Sequence, residues 1–359
     1  MDLRNYGWNE GLAAQFEAYA KHGLVPARVV KQSRDLSTLV TPLGERPGEV
    51  SGKFRHLAKD PAEFPVVGDW VAIEPAGDDL TLIHAVLPRR SAFSRKAAGE
   101  AVEAQVAAAN IDTVFLVSGL DGDYNLRRIE RYLTTAWASG AYPVIVLNKT
   151  DLRPDLQNVL SAVKGIAPTV PVVAASALAE GGLKDLEGYL VPGKTVALLG
   201  SSGVGKSTMI NRLLGEERLP TAPISDAKEG RGRHTTTARE LVRLPGGALL
   251  IDTPGMRELQ LWADEEDLNR TFEDIERLAD RCRFPDCRHE QEPGCAVRSA
   301  VGAGTLDSRR LESYHKLRRE MQFTELKKDA KKRRQQEKAA GRRFASMIKE
   351  IKKHKPRYQ

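Results

Sequence analysis

Apolar and polar residues follow several different rhythms along this chain, and each rhythm predicts a different kind of element. Over residues 1–24, Trp8, Leu12, Phe16 and Tyr19 recur at spacings a short helix can use, with no chemistry attached to them. From 28 to about 90 the texture changes to short runs broken by turns. Strands are predicted over 28–31, 37–40, 49–54, 69–73 and 81–87, punctuated by Gly44, Pro47-Gly48, Gly68 and Pro75-Ala76-Gly77. Five short strands suit a small barrel, an OB-fold first and an SH3-like barrel as the alternative. A polar link, Pro88-Arg89-Arg90-Ser91, leads into an Ala-rich stretch that ends at Asn110.

Beyond Asn110 the period alternates between strand and helix. Apolar runs over 113–118, 143–147, 170–174 and 195–199 read as buried parallel strands. Residues 126–139 read as a helix and another begins at 206, while 240–244 and 248–251 read as a hairpin around Pro245-Gly246-Gly247. From about 263 the pattern turns helical and acidic. Residues 305–353 are helical in composition and increasingly basic, and Pro356 would end any helix there. The expected organisation is multidomain α/β: an N-terminal extension (1–24), a barrel (25–90), an α/β domain (91–262), a helical domain (263–320) and a basic helical tail (321–359).

Composition alters this picture in one place. The net charge of +7 is unevenly distributed, because residues 316–359 hold 17 Lys and Arg against 5 Asp and Glu. A basic tail on a slightly acidic body points to a polyanionic partner, nucleic acid above all. No apolar run approaches the ~20 residues of a membrane span. The first residues, Met1-Asp2-Leu3-Arg4-Asn5, carry no secretory pattern, so a cytoplasmic location is expected. The three cysteines, Cys282, Cys287 and Cys295, are too few and too clustered for a disulfide framework.

The chemistry lies at the ends of the predicted strands, where an open α/β sheet binds ligands. After 195–199 comes Gly200-Ser201-Ser202-Gly203-Val204-Gly205-Lys206-Ser207-Thr208, a phosphate-binding loop between a strand and a helix. Its backbone N–H groups would cradle phosphates, Lys206 would reach the β- and γ-phosphates, and Ser207 would bind Mg²⁺. After 143–147 comes Asn148-Lys149-Thr150-Asp151. Asp151 can accept hydrogen bonds from guanine N1–H and its exocyclic amine, which adenine does not offer there. Asn148 can bond the base edge and brace the phosphate loop, and the Lys149 stem can lie along the base. Ser176-Ala177, after the next strand, fits the O6 side of guanine. Asp252-Thr253-Pro254-Gly255 supplies an aspartate for the Mg²⁺ shell and a Gly255 N–H for the γ-phosphate.

The order is inverted relative to ordinary GTPases, because the guanine-reading motif precedes the phosphate loop. The chain therefore reads as a circularly permuted GTPase, which keeps a site while moving the termini. Arg231-Gly232-Arg233-His234-Thr235-Thr236-Thr237 offers threonines for the first switch; one of the three should complete Mg²⁺ coordination, with Thr236 as the candidate taken forward. Met256 stands where a water-orienting glutamine would be, so slow intrinsic turnover is expected. His234 is the candidate to orient the water, with shaping of the switch loop as its alternative role. Cys282, Cys287, His289 and Cys295 form a Cys₃His set for one structural zinc.

With Asn148-Lys149-Thr150-Asp151, Gly200 to Thr208, Gly232-Arg233-His234-Thr235-Thr236-Thr237, Asp252 to Gly255 and the Cys/His spacing in place, the chain resembles the RsgA (YjeQ) family of small-ribosomal-subunit GTPases over roughly residues 25–320. The resemblance implies an OB-fold barrel, a permuted GTPase domain and a helical zinc-binding domain. It implies a late assembly factor for the small ribosomal subunit that binds rRNA, whose hydrolysis the subunit stimulates and whose release follows. Nothing in the sequence suggests an obligate dimer, and a monomer is expected. The catalytic set is then Lys206, Gly255 and His234. The rival readings are a GTP-gated RNA-binding switch with negligible turnover and a GTPase acting on another polyanion such as transfer RNA.

Overall fold

The computed structural model describes residues 1–33, 36–74, 80–96, 104–219, 239–252 and 263–327. A 3-10 turn over Leu3–Tyr6 precedes helix α1 (Glu10–Ala20), which Asn9 caps by accepting from the Leu12 N–H at 3.1 Å. Leu3, Leu12 and Phe16 are buried, and Trp8 meets Phe16 and Trp70 edge-on with centroids at 5.8 and 4.9 Å. The first residues thus close one core that also contains barrel and α/β residues.

The barrel strands are β1 (Val25–Gln32), β2 (Ser37–Thr41), β3 (Gly44–Val50), β4 (Trp70–Glu74) and β5 (Thr81–Val86), with a short helix α2 (Gly52–Leu57) after β3. They hydrogen-bond in the order β1-β2-β3-β5-β4, and β4 returns to β1, closing the barrel as an OB-fold does. The third strand corrects the sequence expectation. It ends at Val50, and 52–57 is helical because the Ser51 hydroxyl caps the Phe54 N–H at 3.2 Å. Pro47-Gly48 lies inside the strand and not in a turn. Pro47 pairs only with β2, beyond the stretch bonded to β5, so its missing N–H costs no ladder bond there.

The Ala-rich stretch contributes an antiparallel ribbon, β6 (Ala92–Lys96) and β7 (Ala104–Ala109). Then follow β8 (Thr113–Gly119), α3 (Leu126–Ser139), β9 (Tyr142–Asn148), α4 (Leu156–Ile166), β10 (Val172–Ala174), β11 (Thr195–Leu199), α5 (Lys206–Leu214), β12 (Arg239–Arg243) and β13 (Leu249–Asp252). Sequence reading had no counterpart for α4. The strands line up as β10-β9-β8-β11-β13-β12, parallel except for β12. Val114, Phe115, Leu116 and Val117, like Val144 to Leu147, are almost fully buried, as strands covered on both faces require. Strand β12 also pairs with β1, so barrel and α/β sheet share one eleven-stranded ladder.

Arg28 fastens this junction. It is 1% exposed and donates to the carbonyls of Tyr6, Gly68 (3.3 Å) and Asn110 (3.4 Å) and to the Thr195 hydroxyl (2.8 Å). Burial holds its pKa down to about 10.

The C-terminal part is helical: α6 (Glu265–Thr271), α7 (Glu273–Ala279), α8 (Ala296–Gly302) and α9 over 308–327. A capping box between Asp264 and Asp267 opens α6. Leu268, Phe272, Ile275, Val297, Tyr314 and Leu317 form a separate core for this module.

Candidate nucleotide site and metal-ligand cluster

Parallel pairing brings the carboxyl ends of β8, β9, β10, β11 and β13 to one edge of the sheet. The phosphate loop leaves β11 there and enters α5 at Lys206. Its ammonium donates to the carbonyls of Gly200 (2.7 Å) and Ser201, within its own loop. Gly205, the residue before α5, has φ +98°, and a Cβ there would run into the Asn148 amide, so only glycine fits.

Asn148 joins the two motifs that the permutation separates in sequence. Its side-chain amide, 1% exposed, donates to the Val204 carbonyl at 2.8 Å and accepts from the Ala177 N–H at 3.0 Å. The strand end at Asn148, the phosphate loop and the Ser176-Ala177 loop are therefore held by one side chain. Lys149 sits at φ +65° and donates to the Gly203 carbonyl at 2.7 Å while pairing with Asp121. Asp151 is exposed at the rim and accepts from the Ser176 hydroxyl at 2.6 Å. Thr150 anchors the turn by donating from its hydroxyl to the Ala175 carbonyl at 3.1 Å.

Three contacts come from residues outside the recognised motifs. Asp121 follows β8 and fixes the Lys149 ammonium. Desolvation works against its carboxylate, but the bond from Lys149 and the Asp123 N–H outweigh it and hold the Asp121 pKa below the usual carboxylate range. From α3, Arg128 donates to the Ser201 hydroxyl at 2.9 Å, and the Tyr132 hydroxyl lies 3.2 Å from the same atom. The signal for Asp121 was available, as an acidic residue at a strand's carboxyl end. Arg128 and Tyr132 carried none, because their role depends on where α3 packs.

Ser207 and Thr208 lie in the first turn of α5, and Asp252 ends β13 beside β11. These hydroxyl and carboxylate oxygens are the hard donors Mg²⁺ takes. His234, Thr236 and Gly255, with Met256, fall outside the described residues.

The Cys/His residues meet as one cluster in the C-terminal module. The ligand atoms of Cys282, Cys287, His289 and Cys295 all lie within 4.8 Å of one another, so they could hold a metal ion. The Cys282 and Cys295 sulfurs are 3.9 Å apart, and His289 Nδ1 lies 3.7 and 3.5 Å from them. A tetrahedron with ~2.3 Å metal–sulfur bonds has edges of about 3.8 Å, so the donor set fits zinc. The Ala296 N–H donates to Cys282 Sγ and the Arg298 N–H to Cys295 Sγ, each at 3.4 Å. At Cys282, desolvation works against the thiolate, but the bond from the Ala296 N–H helps to outweigh it and hold the thiol pKa below its usual value. Glu292 ties the loop between the ligands by accepting from the N–H groups of Arg288, Glu290 and Gln291 at 2.9–3.0 Å. Those bonds bring its pKa down to about 2.

A strand end bearing Asn148-Lys149-Thr150-Asp151 that precedes the phosphate loop, on a largely parallel sheet, fits a circularly permuted GTPase, and the chain is a GTP hydrolase. Comparison with known proteins narrows the class. The family model described as RsgA GTPase matches residues 86–262. A small ribosomal subunit biogenesis GTPase RsgA from Opitutus terrae is 51% identical over 339 residues, 92% of this chain and 92% of that one. The chain belongs to the RsgA GTPase family. The crystal structure of YjeQ from Thermotoga maritima matches with a TM-score of 0.62 at 27% identity, over 83% of this chain and 98% of that one. The structure of YloQ, described as a circularly permuted GTPase, gives 0.61 at 23% identity over 84% and 96%, a likeness of fold. A model described as ABC transporter also matches, over 183–353. That span contains the phosphate loop but neither Asn148 nor Asp151, and the phosphate loop is the feature that nucleotide-binding classes share.

Proposed function

We propose that this GTPase acts late in the assembly of the small ribosomal subunit. In this reading it binds rRNA as a cytoplasmic monomer, the subunit stimulates its hydrolysis, and release follows. The observation that carries this is the Asn148 brace, with its bonds to Val204 and Ala177, inside a sheet continuous with an OB-type barrel. Relatives described as small ribosomal subunit biogenesis GTPases supply the partner. Proposed roles follow the site. Asp151, Asn148, Lys149, Thr150, Ser176 and Ala177 hold guanine, and Gly200 to Thr208 hold the phosphates. Ser207, Thr236 and Asp252 would hold Mg²⁺, whose charge offsets that of the phosphates. Lys206 and the Gly255 N–H stabilise charge on the γ-phosphate, and His234 orients water. Cys282, Cys287, His289 and Cys295 would hold one structural zinc, since all four positions of a tetrahedron are protein groups. The barrel (25–90), the helical module (263–320) and the basic tail (321–359) grip RNA together around the GTPase domain (91–262), with 1–24 as an extension.

The test is GTP hydrolysis by the purified protein, alone and with small ribosomal subunits, with ATP as control. Slow basal turnover of GTP strongly accelerated by the subunit is expected. Absence of acceleration, with RNA binding that still depends on the nucleotide, would replace this reading with a GTP-gated switch or a different RNA partner.

A further inference from the structure

Helix α3 has three working faces. At about 3.6 residues per turn, Ile129, Leu133 and Ala136 share one face and are fully buried against the sheet. A second face carries Arg127, Glu130, Arg131, Thr134 and Trp137, and each meets the C-terminal module. Arg127 pairs with Asp307 at 2.9 Å, and Arg131 with Glu320 at 2.5 and 2.7 Å. Glu130, with no exposed surface, accepts from Arg310 at 2.8 Å, and Arg310 also binds Asp274 at 2.6 and 2.7 Å. The Thr134 and Thr271 hydroxyls are 3.0 Å apart, and the Arg270 guanidinium lies 3.9 Å from the Trp137 ring centre. The third face holds Arg128 and Tyr132, one turn apart, and both reach the Ser201 hydroxyl.

The two polar faces differ in strength. Separating Arg310 from Glu130 would leave this buried carboxylate with Arg127 alone and Arg310 without one of its two carboxylates, which is unfavourable, so α3 and the module move as one body. The contacts to Ser201 are half-exposed hydrogen bonds that can adjust. Ser201 is also no passive point of the loop, since its carbonyl accepts from the Lys206 ammonium. A shift of Ser201 therefore shifts an anchor of the lysine that faces the phosphates.

We propose that α3 couples the seating of the Cys/His module to the phosphate loop, with Arg128 and Tyr132 as positioning residues that act on nucleotide affinity through Ser201. This route needs no RNA to operate. It works in both directions, because a coupling between two sites is reciprocal.

The experiment is a double-mutant cycle on the full-length protein, read by titration with a fluorescent GDP. Glu320→Gln weakens the module seam at an ion pair outside the phosphate loop, and Ser201→Ala removes the hydroxyl on which α3 acts. Glu320→Gln is expected to change the GDP Kd about threefold or more in the wild-type background. In the Ser201→Ala background the same substitution should change it less than about 1.5-fold. Tyr132→Phe, which removes only one hydroxyl, should likewise reduce the effect of Glu320→Gln. Thermal melting and metal content establish that each variant is folded. An unchanged Kd in folded Glu320→Gln, or an equal change in both backgrounds, overturns the proposal. Neither outcome involves the ribosomal subunit, so the assignment of partner stands or falls separately.

Discussion

Replacing Asn148 by alanine should damage nucleotide binding far more than the loss of one small side chain suggests. The substitution strands two groups, the Val204 carbonyl and the Ala177 N–H, now paired at 2.8 and 3.0 Å. Val204 and Ala177 are 0% and 4% exposed, so water reaches neither group easily. An unsatisfied buried donor or acceptor costs about 1–3 kcal/mol, giving roughly 2–6 kcal/mol if neither group finds a partner. Without nucleotide the two loops can relax toward solvent and recover part of that cost. Binding GDP forces them back into register, so the remainder appears as lost affinity. A residual of ~1.5–3 kcal/mol corresponds to about 10- to 150-fold in Kd. The assay is fluorescent GDP titration paired with thermal melting of the free and GDP-bound protein. The GDP-bound form should lose more melting temperature than the free form. A GDP Kd within twofold of wild type would refute the idea that Asn148 braces the site, whatever the melting shows.

Three further outcomes are expected. Asp151→Asn exchanges an acceptor for a donor opposite guanine's exocyclic amine, so GDP affinity should fall by about tenfold or more while xanthosine diphosphate, with an oxygen at that position, gains; competition titration of the two nucleotides checks this. Arg28→Ala removes the donor shared by Tyr6, Gly68, Asn110 and Thr195 and should lower unfolding free energy by about 3 kcal/mol or more, measured by urea denaturation. Glu292→Gln should lower the unfolding free energy of the metal-stripped protein, measured by urea denaturation. Because the Glu292 pKa falls from 4.5 to about 2 on folding, its contribution is fully present above about pH 4.5 and is lost as pH falls through 2, so variant and wild type should converge in acid.

The sequence was most readable where a local rule decides the outcome. Apolar runs covered on both faces became β8, β9 and β11, α3 begins and ends where its pattern does, and α5 begins at the predicted Lys206. The Cys/His spacing became a cluster because four ligands within fourteen residues leave the chain little choice. Reading failed where a cap or a partner decides. Ser51 turned a predicted strand into α2, and Pro47-Gly48 sits within β3 because the bonding partner changes there. Arg28, Arg128 and Tyr132 look like ordinary surface polar residues in the sequence. The contacts described for them lie 22 to 167 residues away for Arg28 and 69 to 73 for the other two, a distance no periodicity encodes.

The two-residue joint between β1 and β12 also governs how this protein can be divided. It pairs Lys31 with Glu240 and Gln32 with Arg239. A fragment that starts after the barrel would bare the edge of β12 at Arg239 and Glu240, leaving backbone donors and acceptors that can recruit strands from other molecules. Such a fragment is prone to self-association, and any nucleotide turnover it shows would be that of a damaged sheet. Engineering that swaps or removes the barrel therefore has to supply a replacement strand for β12, whereas the C-terminal module, joined by side chains alone in the contacts described, can be exchanged without opening a sheet edge.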